Sequence, residues 1–240
     1  MTFTVTPIDY VLVTLMLLTL PLDSLFTSRI RSRIEAGDSA LRTRAYLLLI
    51  GMEWASCLIV LGLWVATGRP WAALMLGPIT PWRFGLGMLA AALGLLPVFN
   101  LRRRVFNRMR NGGAQQVRFS PALEALMPHT PAQRQLWTIA SITAGCCEEI
   151  ICRGFLLSFI AHFTGILMAV PISAIVFGLG HAYQGKKGII GTGIWGLTAG
   201  IIAVAAASLW PVILMHFLQD LLAGDLGYRI VRARTEHAAA

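Results

Sequence analysis

The chain has 240 residues, 56% of them hydrophobic and only 13% charged, with a formal net charge of +9. A soluble globular domain carries about a quarter charged residues, so this composition excludes an ordinary water-soluble fold and points to a membrane protein. The positive charge occurs as short arginine clusters between apolar runs, which reads as orientation signal and contact with anionic lipid, not as nucleic-acid binding.

In chain order, seven segments are apolar and long enough to be spans, at about residues 8–26, 45–67, 84–100, 135–159, 164–181, 188–208 and 210–228. The expected fold is all-α, a polytopic integral membrane helix bundle of about seven to eight transmembrane helices. It forms one membrane domain over 1–240, with N-terminal helices and basic cytoplasmic loops in 8–134. Pro21 and Asp23 interrupt the first span, and an arginine-rich loop with Arg29, Arg31, Arg33, Arg42 and Arg44 follows it. That first span lacks a basic leader, so no cleavable signal peptide is expected. A turn rich in proline and tryptophan fills 68–83. The longest connection, 101–134, holds seven arginines, and within it Ser120-Pro121 looks like an N-cap followed by proline at the first helical position. A short surface helix over 122–127 is expected to follow.

If each segment crosses once, every lysine and arginine except Arg69, Arg83 and Arg153 falls on one side. The positive-inside rule then puts the C-terminus in the cytoplasm, and a bacterial cytoplasmic membrane is the expected location. Tyr46, Trp64, Trp71, Trp82, Trp137, Trp210 and Tyr228 fall near span ends, as an aromatic belt would. Cys57, Cys146, Cys147 and Cys152 all lie in apolar segments without metal-type spacing, and read as reduced packing residues.

The fourth span carries the costliest stretch, Gly145-Cys146-Cys147-Glu148-Glu149-Ile150-Ile151-Cys152-Arg153. Two acids and a guanidinium near the bilayer centre cost a few kcal/mol each unless partnered, which makes them a functional-site hypothesis by default. Glu149 and Arg153, four apart on a helix, share a face and can pair. Glu148 is rotated about 100° away and remains available as a general base. The bland alternative is a charge-paired helix seam with both glutamates satisfied.

Two further spans supply partners. His181 ends the fifth, where Gly178 and Gly180 allow another helix close enough for the histidine to meet the fourth span. His216 and Asp220 lie four apart on one face of the seventh. Two chemistries fit this set. A carboxylate and a histidine activate water while other polar groups stabilise an oxyanion, or two histidines and a glutamate hold zinc. Glu53, another intramembrane acid, reads as a structural group that bonds a neighbouring helix or pairs with Arg153.

Glu-Glu-x-x-x-Arg, then Phe-x-x-x-His, then His-x-x-x-Asp, each in an apolar helix and in this order, resembles the CPBP (Abi) family of intramembrane proteases, which includes the type II CAAX prenyl endopeptidases. The resemblance runs from about Leu136 to Asp220, and makes 135–228 the expected catalytic core. It implies a glutamic, metal-free endopeptidase with no cofactor. Glu148 would activate water together with His181, Glu149 and Arg153 would hold that geometry, and His216 and Asp220 would line the oxyanion hole. Prenyl proteases carry asparagine where this chain has Asp220. An ionised aspartate repels an oxyanion, so Asp220 is expected either protonated or turned to orient His216 or the water. Expected partners are membrane lipids and a peptide or protein substrate at the membrane, a prenylated one among the candidates. Two other readings use the same polar cavity: a non-proteolytic scaffold or bacteriocin-immunity protein, and a small proton-coupled transporter.

Overall fold

The computed structural model describes residues 3–35, 38–110, 117 and 121–239, and these are almost wholly helical. Helix α1 (Pro7–Glu35) is followed by α2 (Ser39–Ala66), a 3₁₀ turn (Trp71–Leu74), α3 (Pro81–Gly94) and α4 (Leu96–Arg110). After the short α5 (Pro121–Leu126) comes a long helical run. It is α-helical over α6 (Pro131–Glu149), π-helical over Ile150–Leu156, and α-helical again over α7 (Leu157–Thr164). Helices α8 (Ile166–Gly180), α9 (Lys186–Ala206) and α10 (Trp210–Ala239) complete the bundle. Among the described residues there is no strand, as expected where backbone polar groups must be satisfied without water.

Several boundaries follow from local chemistry. The Asp38 side chain accepts from the Leu41 amide at 2.8 Å and starts α2; Thr130 accepts from Gln133 at 3.2 Å and starts α6, with Pro131 just inside the helix. Gly165 and Gly185 turn the chain at φ 76° and 81°, conformations that L side chains rarely adopt, and so separate α7 from α8 and begin α9. The short α5 falls where a surface helix was expected; its expected cap, Ser120, lies outside the described residues.

Three expectations are corrected. Helix α1 continues through Pro21 and Asp23 without interruption. The arginine-rich loop is mostly helix, with Arg29, Arg31 and Arg33 ending α1 and Arg42 and Arg44 opening α2. The connection after the third span likewise begins as helix, since α4 carries Arg102, Arg103, Arg104, Arg108 and Arg110. In the last two cases the helix extends beyond the apolar stretch through arginines, which are good helix formers.

Among the described residues, α2, the joined α3–α4 and α9 are long and apolar enough to cross a membrane, and the first part of α1 and α8 are shorter apolar helices. Leu47, Leu48, Leu58, Ile59, Trp82, Leu86, Leu167, Ile190 and Ile194 face outward. So much outward apolar surface suits lipid, not water. The inner surface holds two main clusters. Met75, Ala91, Ala199, Ala203, Leu209, Val212 and Met215 join the 3₁₀ turn to α3, α9 and α10. Phe3, Val60, Trp64, Leu74, Phe155 and Phe159 join α2 to the π segment and α7.

The aromatic belt is only partly a belt. Trp71, Trp82 and Trp210 are exposed, whereas Trp64 is fully buried against Phe3 and Phe155, with its Nε1 donating to Pro70 O at 3.1 Å. Tyr46 is also buried, and its hydroxyl bonds the Leu126 carbonyl, tying α5 to α2. The two arginines on the sparse side are both internally satisfied. Arg69 makes a bidentate pair with Asp9 at 2.7 Å for each bond, and Arg83 donates to Ala205 O and Val204 O at 2.9 and 3.0 Å.

Candidate active site

Helix α6 reaches the site because small residues let its neighbours come close. A Cβ on Gly145 would lie 3.0 Å from the Ile213 carbonyl oxygen and the Phe217 amide, both backbone atoms of α10. On the other side, Trp54 Nε1 donates to Thr143 Oγ1 at 3.1 Å and holds α2 against α6. Glu148 and Glu149 therefore emerge between α2 and α10.

The helix type changes at this point. Ile150–Leu156 is π-helical, starting directly after Glu149. A π turn takes about one residue more than an α turn, so it re-aims every side chain beyond it and is frequent at functional sites. Nothing in the apolar pattern of 150–156 announces it.

Glu149 is the hub. It is fully buried, and its Oε1 accepts from Arg153 Nη1 at 2.9 Å and lies 2.8 Å from His216 Nδ1. Arg153, 1% exposed, has its guanidinium carbon 4.0 Å from the Phe177 ring centre and 5.0 Å from that of Trp195. A Cβ on Gly196 would come within 3.0 Å of Arg153 Nη2, so the space beside the guanidinium depends on that glycine. The buried cation is thus matched by one carboxylate and two ring faces.

His216 is oriented from both ring nitrogens. While Nδ1 meets Glu149, Nε2 lies 3.6 Å from Asp220 Oδ2, within ion-pair range but too long for a hydrogen bond. Trp195 packs on the His216 ring at 4.5 Å between centroids. His181 Nδ1 bonds the Phe177 carbonyl at 2.9 Å, which leaves Nε2 without a hydrogen-bond partner among the described residues, and its ring lies 4.6 Å from that of Phe177. The Phe177 ring of α8 also lies 6.3 Å from that of His216, so the C-terminal end of α8 borders the Glu149–His216 pair.

Glu148 stands apart in its partners. Among the described residues it has no cation on it, and its Oε2 is buried without a hydrogen-bond partner. Glu53 on α2, one residue before the Trp54 that bonds Thr143, likewise has a buried Oε2 with no hydrogen-bond partner. Of the two readings for Glu53, pairing with Arg153 is not observed, since Arg153 Nη1 goes to Glu149 and Nη2 has no partner among the described residues.

Two other expectations change. Gly178 does make a close approach, but to α9, where an added Cβ would sit 2.7 Å from Ile189 O and 3.1 Å from the Gly193 Cα. Trp195, in the middle of α9, brings into the site a span from which the sequence reading drew no residue. A tryptophan far from both span ends was the available sign. Among the described residues, no three of the His, Cys, Asp and Glu side chains are arranged as a metal-binding set.

Residues 131–222 match the family model described as type II CAAX prenyl endopeptidase Rce1-like. The match covers α6 through the middle of α10 and so contains Glu148, Glu149, Arg153, His181, His216 and Asp220. It relates this part of the chain to the CPBP (Abi) family, a family of membrane-embedded proteases. No curated protein and no solved structure matches the chain.

Proposed function

We propose that this chain, related through residues 131–222 to the CPBP (Abi) family, is an intramembrane endopeptidase that hydrolyses a peptide bond with water activated by Glu148 and His181. The observation that carries the reading is the division of labour between adjacent acids. Oε1 of Glu149 is engaged by Arg153 and His216 at 2.9 and 2.8 Å, while Glu148 has no cation partner among the described residues. A carboxylate left free inside a charge-compensated site suits a general base.

The steps follow from these positions. Glu148, assisted by Nε2 of His181, takes a proton from water, and the resulting hydroxide attacks the scissile carbonyl. Charge then develops on the carbonyl oxygen. His216, held through Nδ1 by Glu149, directs Nε2 to that oxygen as a donor, with Asp220 orienting the ring. The proton on Glu148 passes to the departing amine, and the C–N bond breaks. Arg153 touches no reacting atom; it holds Glu149 and through it His216.

The substrate is a peptide or protein at the membrane, and a lipidated C-terminal segment is one candidate. The N-terminus lies outside and the C-terminus in the cytoplasm, by the arginine bias. The test is cleavage of candidate peptides by purified wild-type, Glu148→Ala and His181→Ala proteins. Each substitution should lower kcat/KM by about 10²- to 10⁴-fold, the usual contribution of a general acid or base. Variants as active as wild type would end the assignment, and an unchanged protective phenotype in cells would favour a binding role for the same cavity.

A further inference from the structure

A hydrogen bond at one ring nitrogen fixes the direction of a histidine but not its plane, because the ring still turns about the bonded atom and its outer torsion is broad. His216 is held at Nδ1 by Glu149 at 2.8 Å, whereas Asp220 Oδ2 lies 3.6 Å from Nε2, too far to bond. Packing therefore sets the plane. Trp195 lies against the imidazole at 4.5 Å between centroids with the planes 57° apart, and Phe177 stands edge-on to it at 6.3 Å and 79°. Trp195 is the nearer of the two rings.

Trp195 is itself firmly placed. Trp195, Ala199 and Ala203 are four apart and share the inward face of α9, while Ile190, Ile194 and Ile201 face outward. Ala199 and Ala203 are fully buried in the cluster that α9 forms with α3 and α10. The indole stacks on Phe177 at 5.6 Å with planes 30° apart, and receives the Arg153 guanidinium at 5.0 Å. One side chain thus touches both groups that engage Oε1 of Glu149. Its Nε1 is buried with no hydrogen-bond partner among the described residues, so the ring face, not the N–H, makes its contacts. A leucine would fill the space without burying an unpaired donor.

We infer that Trp195 is a positioning residue of the hydrolytic site: its indole face sets the plane of the His216 ring and so aims Nε2 at the developing oxyanion. The inference rests on the reading of His216 as the oxyanion donor. A donor that acts only as charge develops contributes to kcat and leaves KM alone, so misdirecting it shows in kcat. A tryptophan that merely fills space would instead govern the folded fraction and leave turnover by folded molecules unchanged.

The test uses the full chain in lipid nanodiscs. With a peptide that wild type cleaves, Trp195→Leu should lower kcat per folded molecule by about 100-fold, the scale of a misplaced catalytic group, with KM held within about twofold. Trp195→Phe keeps a flat ring and should recover kcat to within about tenfold of wild type. An unchanged kcat in Trp195→Leu, a loss carried by KM, or no recovery in Trp195→Phe would overturn the inference. A second readout needs no substrate: ¹⁵N spectra of histidine-labelled protein, in which the His216 signals are those that His216→Gln removes. Wild type and Trp195→Phe should each give one set of His216 ring-nitrogen signals, and Trp195→Leu a broadened or doubled set. A single, unshifted set in Trp195→Leu would also overturn the inference. Should Trp195→Leu fail to fold, Trp195→Met fills the space without a flat face and takes its place in both measurements. A wild-type protein that cleaves no peptide would defeat the proteolytic reading, while the nitrogen spectra would still decide whether Trp195 sets the ring.

Discussion

Arg153→Met is the most informative single perturbation. Methionine keeps most of the length and apolar volume of arginine, so the effect isolates the guanidinium. That group is 1% exposed and donates at 2.9 Å to Glu149, which is itself fully buried. Its loss leaves Glu149 with His216 alone, and breaking one side of a buried ion pair costs about 3–5 kcal/mol. The Phe177 and Trp195 faces at 4.0 and 5.0 Å lose a desolvated cation, a further contribution of about 1–2 kcal/mol. The retained apolar contacts offset part of this, so the expected loss is about 3–5 kcal/mol. Removing both charges in Glu149→Leu/Arg153→Met should cost less than the sum of the singles, with a coupling of at least about 2 kcal/mol. The assay is unfolding of the purified proteins in mixed micelles by SDS titration, followed by circular dichroism. A loss below about 1 kcal/mol for Arg153→Met, or additive singles, would refute the view that this pair holds the site.

Other outcomes follow from the same geometry. Asp220→Asn keeps shape beside His216 Nε2 and should hold kcat/KM within about tenfold, whereas Asp220→Leu should lose about 100-fold, as an orienting partner would; equal losses in peptide cleavage would assign the aspartate charge a direct role. Gly145→Leu should destabilise by about 1–3 kcal/mol and abolish cleavage, because its side chain would enter the α10 backbone at 3.0 Å; a fully active, stable variant would contradict that packing. Asp225 accepts from Arg102 and Arg134 at 2.5 Å each and from Arg229 at 3.0 Å, joining α4, α6 and α10. Arg134 and Arg229 are half exposed, so most of the effect rests on Arg102, and Asp225→Asn should cost about 1–2 kcal/mol in the same titration, diminishing with added salt.

Composition and hydropathy were enough to read an all-helical membrane protein, because a chain in lipid has few ways to satisfy its backbone. The Glu149–Arg153 and His216–Asp220 pairs were also legible, since both members of each lie on one helix and helical geometry alone sets their spacing. That Glu149 of α6 binds His216 of α10, and that Trp195 and Phe177 enclose Arg153, were decided only by packing. The same holds for the π turn after Glu149, which no periodicity encodes. An intramembrane charge announces in the sequence that it must find a partner; which partner it finds depends on how helices far apart in the chain come to lie side by side.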